Sequence, residues 1–295
     1  MKKEKVFSGV ATALITPMKK KSIDYSALSK LIEFQIEGGT DALVIGGTTG
    51  EAATLSDGER YELYTYVKEK VAGRVKLIFG TGTNDTRVAV RHTKTAADIG
   101  ADAALVVTPY YNKGTHDGVV RHYKKIAASC DLPIILYNVP SRTGVNLTVA
   151  QLEELAKLDG IVGIKEASDS ADRLVELAAF GEDLWLYAGN DTQIYQTLAL
   201  GGAGVVSVVS NLYPERLSRI CKSFFAGDTK MALQEQFEIL EFTKTMFLET
   251  NPAPIKYAMS LAGLCRPDIR LPLLTPKRKT RTAIKNVMRE LKQEG

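Results

Sequence analysis

The chain has 295 residues, 45% of them hydrophobic, and its 38 basic and 34 acidic side chains leave a formal charge of +4. That is enough apolar material for one large barrel or two ordinary domains, and so small and dispersed an excess makes no electrostatic case for nucleic acid. Lys19-Lys20-Lys21 and Lys277-Arg278-Lys279 with Arg281 lack interleaved aromatics and read as solvated turns and helix ends.

Cys130, Cys221 and Cys265 are odd in number and in no CxxC spacing, which predicts a reduced, cytoplasmic protein. His92, His116 and His122 sit in no metal-ligand arrangement, so neither a catalytic metal nor a Ser-His or Cys-His nucleophile is expected. The apolar stretch inside Met1 to Pro17 is too short for a signal peptide and reads as a first buried strand. No apolar run approaches the length of a membrane span.

From Gly9 onward, short β-branched runs alternate with longer amphipathic stretches. Strands are predicted at Gly9–Ile15, Ala42–Ile45, Lys76–Phe79, Ala104–Val107, Pro133–Tyr137, Ile161–Lys165, Leu184–Ala188 and Gly204–Val206. Helices are predicted at Asp24–Gly38, Asp57–Val71, Thr86–Ile99, Asp117–Ser129, Thr148–Leu158, Ser170–Phe180, Thr192–Leu200 and Pro214–Phe225. Eight such units predict an α/β fold, a (β/α)8 TIM barrel over residues 1–226. An open dinucleotide-binding sheet would show GxGxxG after an early strand, and Gly80-Thr81-Gly82 lacks the third glycine. Beyond Gly227 the strand signal stops, and Lys230–Leu248, Pro254–Leu264 and Pro276–Lys292 predict a C-terminal helical appendage over 227–295.

Barrel chemistry gathers at the carboxyl ends of the strands. There the second strand runs into Gly46-Gly47-Thr48-Thr49-Gly50-Glu51, the fourth into Thr108-Pro109-Tyr110-Tyr111-Asn112, the fifth into Tyr137-Asn138-Val139-Pro140-Ser141-Arg142-Thr143-Gly144, and the sixth into Lys165-Glu166. Lys165 closes an apolar run, where an unpaired ammonium is costly and a neutral amine is a nucleophile for a carbonyl. The competing reading is a structural lysine paired with Glu166 or Glu51. Tyr137 on the neighbouring strand offers a hydroxyl for proton transfer, with Thr48 and Tyr111 as relay candidates; singly, each such residue is more often packing. The Gly46–Gly50 loop lacks a P-loop lysine but lets backbone N–H groups and the hydroxyls of Thr48 and Thr49 approach a carboxylate. Arg142 offers a planar fork for a second carboxylate, against the plain alternative of a solvated arginine.

GTTGE (Gly47 to Glu51), YYNK (Tyr110 to Lys113), YNVPSRTG (Tyr137 to Gly144), GIKEAS (Gly163 to Ser168) and ETNPAPIK (Glu249 to Lys256) resemble the dihydrodipicolinate synthase family in order and spacing, over nearly the whole chain. The resemblance implies a class I aldolase with no cofactor beyond a covalent pyruvate imine on Lys165. Tyr137 would be acid and base, and Thr48 and Tyr111 the proton relay. Thr49, Gly189 and Val206 would line the pyruvate pocket, and Arg142 would receive the carboxylate of aspartate semialdehyde. It implies a homotetramer of two tight dimers, with Tyr111 reaching into a neighbouring subunit.

The wider superfamily holds N-acetylneuraminate lyase and other pyruvate-dependent sugar acid aldolases, from which Arg142 separates this chain. A non-catalytic keto acid binder would be expected to have lost Lys165. Lysine-inhibited members bind lysine with a glutamate one turn beyond the asparagine matching Asn84. That position here is Val88, with Arg60 nearby, so insensitivity to lysine is expected unless Asp57 substitutes.

Overall fold

The computed structural model describes residues 2–293; Met1, Glu294 and Gly295, the ends of the two predicted regions, lie outside them. Eight parallel strands close into a barrel: β1 (Gly9–Ala13), β2 (Ala42–Ile45), β3 (Lys76–Gly80), β4 (Ala103–Val107), β5 (Ile134–Asn138), β6 (Ile161–Glu166), β7 (Trp185–Ala188) and β8 (Gly204–Ser207). Each pairs with its sequence neighbours, and β8 closes on β1 with Gly9 opposite Gly204 and Thr12 opposite Ser207. The helices that return the chain are α1 (Tyr25–Glu37), α2 (Asp57–Val71), α3 (Thr86–Ile99), α4 (His116–Ala127), α5 (Val149–Leu155), α6 (Ala171–Ala178), α7 (Ile194–Ala199) and α8 (Pro214–Phe225).

Side-chain alternation along a strand divides the apolar residues into two cores. Ala11, Val44, Ile78, Leu105, Ile135 and Val206 fill the barrel interior. Leu43, Phe79, Val106, Leu136, Ile164 and Leu186 point outward and pack with the helices. Local signals fix the helix starts. Ser56 and Glu59 form a reciprocal capping box on α2, Thr148 and Gln151 one on α5, and Asp85 accepts from the first N–H groups of α3.

The strand assignments hold with shifts of a residue or two, except that β1 stops at Ala13; a two-residue hairpin (Met18–Lys19 with Ser22–Ile23) follows it. The predicted helix over Lys230–Leu248 is two, α9 (Thr229–Glu238) and α10 (Leu240–Thr245), broken at Ile239. After them come α11 (Ala253–Leu261) and α12 (Arg278–Gln293). This region shares one apolar core with the barrel: Ile239, Phe242, Met246, Ile255 and Met259 belong to the same cluster as Leu14, Ile15 and Val209. No helix among the described residues is long and apolar enough to cross a membrane.

Candidate active site

Tyr137 and Lys165 are register partners on β5 and β6. Strand periodicity turns both inward, Lys165 above Gly163 and Tyr137 above Ile135, at the carboxyl end of the barrel. Lys165 is 5% exposed and its Nζ stands 4.2 Å from the centroid of the Tyr137 ring. The acids that might have paired with it are committed elsewhere. Glu166 faces outward, where it accepts two hydrogen bonds from Asn138 Nδ2 (3.0 and 2.9 Å) and one from Ser168 N (2.8 Å), and meets Arg173 Nε at 3.5 Å. Glu51 is paired with the buried Lys256. Neither Lys165 Nζ nor the Tyr137 hydroxyl is taken by a hydrogen bond or ion pair among the described residues, so the structural-lysine reading loses its partner.

Lys165 and Tyr137 open into a cavity of about 420 Å³ between the barrel mouth and α10. Thr48, Thr49, Arg142 and Gly189 line it with them. The Thr48-Thr49 turn is possible because Gly46 adopts φ +65°, where an added Cβ would fall 2.4 Å from the Tyr64 hydroxyl. Its far end is pinned by Glu51, itself left-handed at φ 57°, which pairs with Lys256 and accepts from Arg270 N (3.0 Å). Gly189 lies against the Glu166 carbonyl, and a Cβ there would come within 2.6 Å of that oxygen.

One predicted residue is placed otherwise. Val206 does not line the cavity: it is fully buried in the barrel interior, one layer down the strand, and Val208 lines the cavity instead. The reason is the two-residue period of β8, which returns an inward side chain at the mouth only beyond Ser207. Tyr111, expected to reach a neighbouring subunit, stands outside the cavity formed by its own chain, 91% exposed and at φ +69°, a conformation that costs a non-glycine residue roughly 1–2 kcal/mol. Arg142 lies at the exposed rim, in the short helical turn Pro140–Thr143.

Other lining residues were not among the candidate site residues, although Asn251 lies within the ETNPAPIK motif. Asp191 is 1% exposed; its Oδ2 accepts from Val208 N (3.0 Å) and Val209 N (3.2 Å) while Oδ1 has no partner. Burial pushes the Asp191 carboxyl up, opposed by hydrogen bonds from Ser207 and those two amides and by the charge of Lys165. Asn251, from the C-terminal region, donates through Nδ2 to Thr49 Oγ1 (2.9 Å), and its carbonyl accepts from Arg142 Nη2 (3.3 Å). Asp191 follows the β7 end two residues after Gly189, a signal available in the sequence; the reach of Asn251 across 202 residues to Thr49 was not.

Comparison with known proteins matches residues 6–291 to the model of the dihydrodipicolinate synthetase family. The chain belongs to that family. A 4-hydroxy-tetrahydrodipicolinate synthase of Clostridium novyi (strain NT) is 42% identical over 96% of both chains. The crystal structure of dihydrodipicolinate synthase from Thermotoga maritima superposes with a TM-score of 0.95 at 38% identity, covering 98% of this chain and 99% of that one. A chloride-inhibited dihydrodipicolinate synthase from Acinetobacter baumannii, complexed with pyruvate, gives a TM-score of 0.95 at 40% identity over 97% and 99% of the two chains. The inward pair Lys165–Tyr137 sets an amine beside a phenol ring, inside a cavity with an arginine at its rim. Among the described residues no cluster of three or more His, Cys, Asp or Glu side chains could hold a metal ion.

Proposed function

We infer that the chain condenses pyruvate with L-aspartate 4-semialdehyde to give 4-hydroxy-tetrahydrodipicolinate, the entry step of lysine and diaminopimelate synthesis. The observation that carries this reading is a buried lysine amine that no acid pairs with, 4.2 Å from the Tyr137 ring centroid, in a cavity rimmed by Arg142. In the proposed course Lys165 Nζ attacks C2 of pyruvate, and loss of water leaves an imine whose nitrogen is the electron sink. A proton leaves C3 to give an enamine, which attacks the aldehyde carbon. The aldehyde oxygen takes a proton from the Tyr137 hydroxyl, resupplied through Thr48 and Tyr111. The substrate amine then attacks the imine carbon, closing the ring and releasing Lys165.

Thr49 and the backbone at Thr48 and Thr49 hold the pyruvate carboxylate, Gly189 leaves room for the ketoacid, and Arg142 takes the carboxylate of the aldehyde. No cofactor is needed, because the imine supplies the electron sink. We assign the enzyme to the cytoplasm as a homotetramer of two tight dimers, in which Tyr111 enters the partner's site. Its strained, exposed conformation supports that placement, since the single chain gives it nothing to repay the strain. A sugar acid lyase is the less favoured reading, for Arg142 suits a short substrate with a carboxylate near its aldehyde.

The test is a coupled assay with pyruvate, aspartate semialdehyde and the downstream reductase, together with borohydride trapping. Turnover and a pyruvate adduct on Lys165 are expected. Labelling of another lysine, equal labelling of Lys165→Ala protein, or preference for a sugar acid would overturn the reading.

A further inference from the structure

The Lys165 amine lies 4.2 Å from the Tyr137 ring centroid, and neither reactive group is tethered by a hydrogen bond or ion pair among the described residues. Their separation is therefore set by the backbones of β5 and β6. Each is followed by a polar residue that strand alternation turns to the outer face of the barrel, Asn138 after Tyr137 and Glu166 after Lys165. These two are register partners as well, and both are fully buried. Asn138 Nδ2 stands 3.0 and 2.9 Å from the two carboxylate oxygens of Glu166, and 2.7 Å from Asn146 Oδ1. The bridge ties in the loops that leave both strands: Asn138 Oδ1 accepts from Leu147 N at 3.1 Å, and Glu166 Oε1 from Ser168 N at 2.8 Å. Burying a carboxylate this completely is costly, and apolar residues would pack the same wall without that desolvation. The one cation beside it among the described residues, Arg173, comes no nearer than 3.5 Å.

Building on the proposed condensation, we propose that Asn138 and Glu166 are positioning residues, whose bridge behind the barrel wall holds the ends of β5 and β6 in the register that sets the Lys165 amine against Tyr137. The residue types fit. An asparagine donates to the carboxylate and accepts from Leu147 N at once, whereas an aspartate would repel Glu166 and a leucine could do neither. Strand ends, where the backbone ladder stops, resist a local shift least. A misplacement of about 1 Å between reacting groups costs on the order of 100-fold in rate. Through Asn146 and Leu147 the same bridge anchors the return of the loop that carries Arg142.

The test is steady-state kinetics with a coupling arm and a stability control. Asn138→Ala and Glu166→Ala should each lower kcat about 10- to 100-fold, with the KM for pyruvate near its wild-type value because the Thr48-Thr49 loop is untouched. Combined, they should cost no more than the larger single loss, since each removes the same bridge. Glu166→Gln keeps an acceptor for Asn138 and should recover most of the rate. Leu31→Ala, a core truncation in α1, should lower the denaturant midpoint comparably and leave kcat near wild type. Unchanged kcat in folded Asn138→Ala, losses that multiply in the double variant, or an equal kcat loss in Leu31→Ala would overturn the proposal. Should the alanine variants fail to fold, Asn138→Ser breaks the bridge with a smaller cavity and carries the same comparison. Borohydride trapping of pyruvate on Lys165 should slow in the same order of variants. A wild type that traps pyruvate without condensing it with aspartate semialdehyde would sink the underlying function, and the trapping rates would then decide the proposal by themselves.

Discussion

Val88 is expected to leave the enzyme insensitive to L-lysine, and the structure sharpens the reason. A second cavity of about 480 Å³ lies behind the first and shares Thr48, Tyr137 and Arg142 with it; Val88, Asp57, Arg60, His92 and Tyr110 line its far side. Two carboxylates line it: Glu51 is paired with Lys256, and Asp57 is already bound by Arg91 Nη2 (2.8 Å) and His92 Nε2 (2.9 Å). Arg60 donates to the Tyr64 hydroxyl and to the carbonyls of Gly80 and Ala52, each at 3.0 Å, and no described carboxylate pairs with it. A lysine α-ammonium entering this cavity would therefore meet an unpaired cation and an apolar side chain. Losing one partner of a desolvated charge pair costs roughly 2–5 kcal/mol, a weakening of about 30-fold to several thousandfold. The assay is initial rate against L-lysine at fixed pyruvate and aspartate semialdehyde. The response should be flat for the wild type and partly restored by Val88→Glu, which the third position of α3 tolerates because an acid there suits the helix amino terminus. Half-inhibition of the wild type at submillimolar lysine would refute the reasoning.

Three further outcomes are expected. If Tyr111 serves the partner's site, mixing inactive Lys165→Ala and Tyr111→Phe chains restores roughly a quarter of wild-type activity, from the one intact site in each mixed dimer; no recovery after subunit exchange would place the tyrosine elsewhere. Lys256→Met leaves the buried Glu51 carboxylate without its cation and should cost about 3–5 kcal/mol in denaturant unfolding, with part recovered in Lys256→Met/Glu51→Gln; a loss under about 1 kcal/mol would contradict that figure. His122, buried with Nδ1 on Thr86 Oγ1 at 2.9 Å, is pushed down to about 4 by burial, with Asp85 pulling the other way. Between its ordinary value of 6.5 and about 4 the unfolded chain takes a proton the folded chain refuses. Stability therefore falls as pH falls through that window, by up to about 1.4 kcal/mol per pH unit. His122→Phe should flatten that slope in pH-dependent denaturant unfolding, and an unaltered slope would assign it to other groups.

The sequence by itself determined the barrel, because eight β-branched runs at helical intervals leave few other ways to bury a parallel sheet on both faces. It also singled out Lys165 and Tyr137, since a charged or hydroxylated side chain ending an apolar strand is visible without coordinates. It placed Val206 in the pocket by approximate register, where one strand period decides between the interior layer and the mouth. Only the tertiary structure decided that neither candidate acid pairs with Lys165. Local spacing left Glu166 and Glu51 open, and Glu166 is excluded by pointing to the opposite face of β6 while Glu51 is claimed by Lys256, 205 residues away in the chain. The same holds for Asn251, whose contacts to Thr49 and Arg142 arise where the C-terminal helices fold back over the barrel mouth. Strand periodicity is written in neighbouring residues and can be read from them, whereas a hydrogen bond across two hundred positions depends on how the packed elements bring the chain back together.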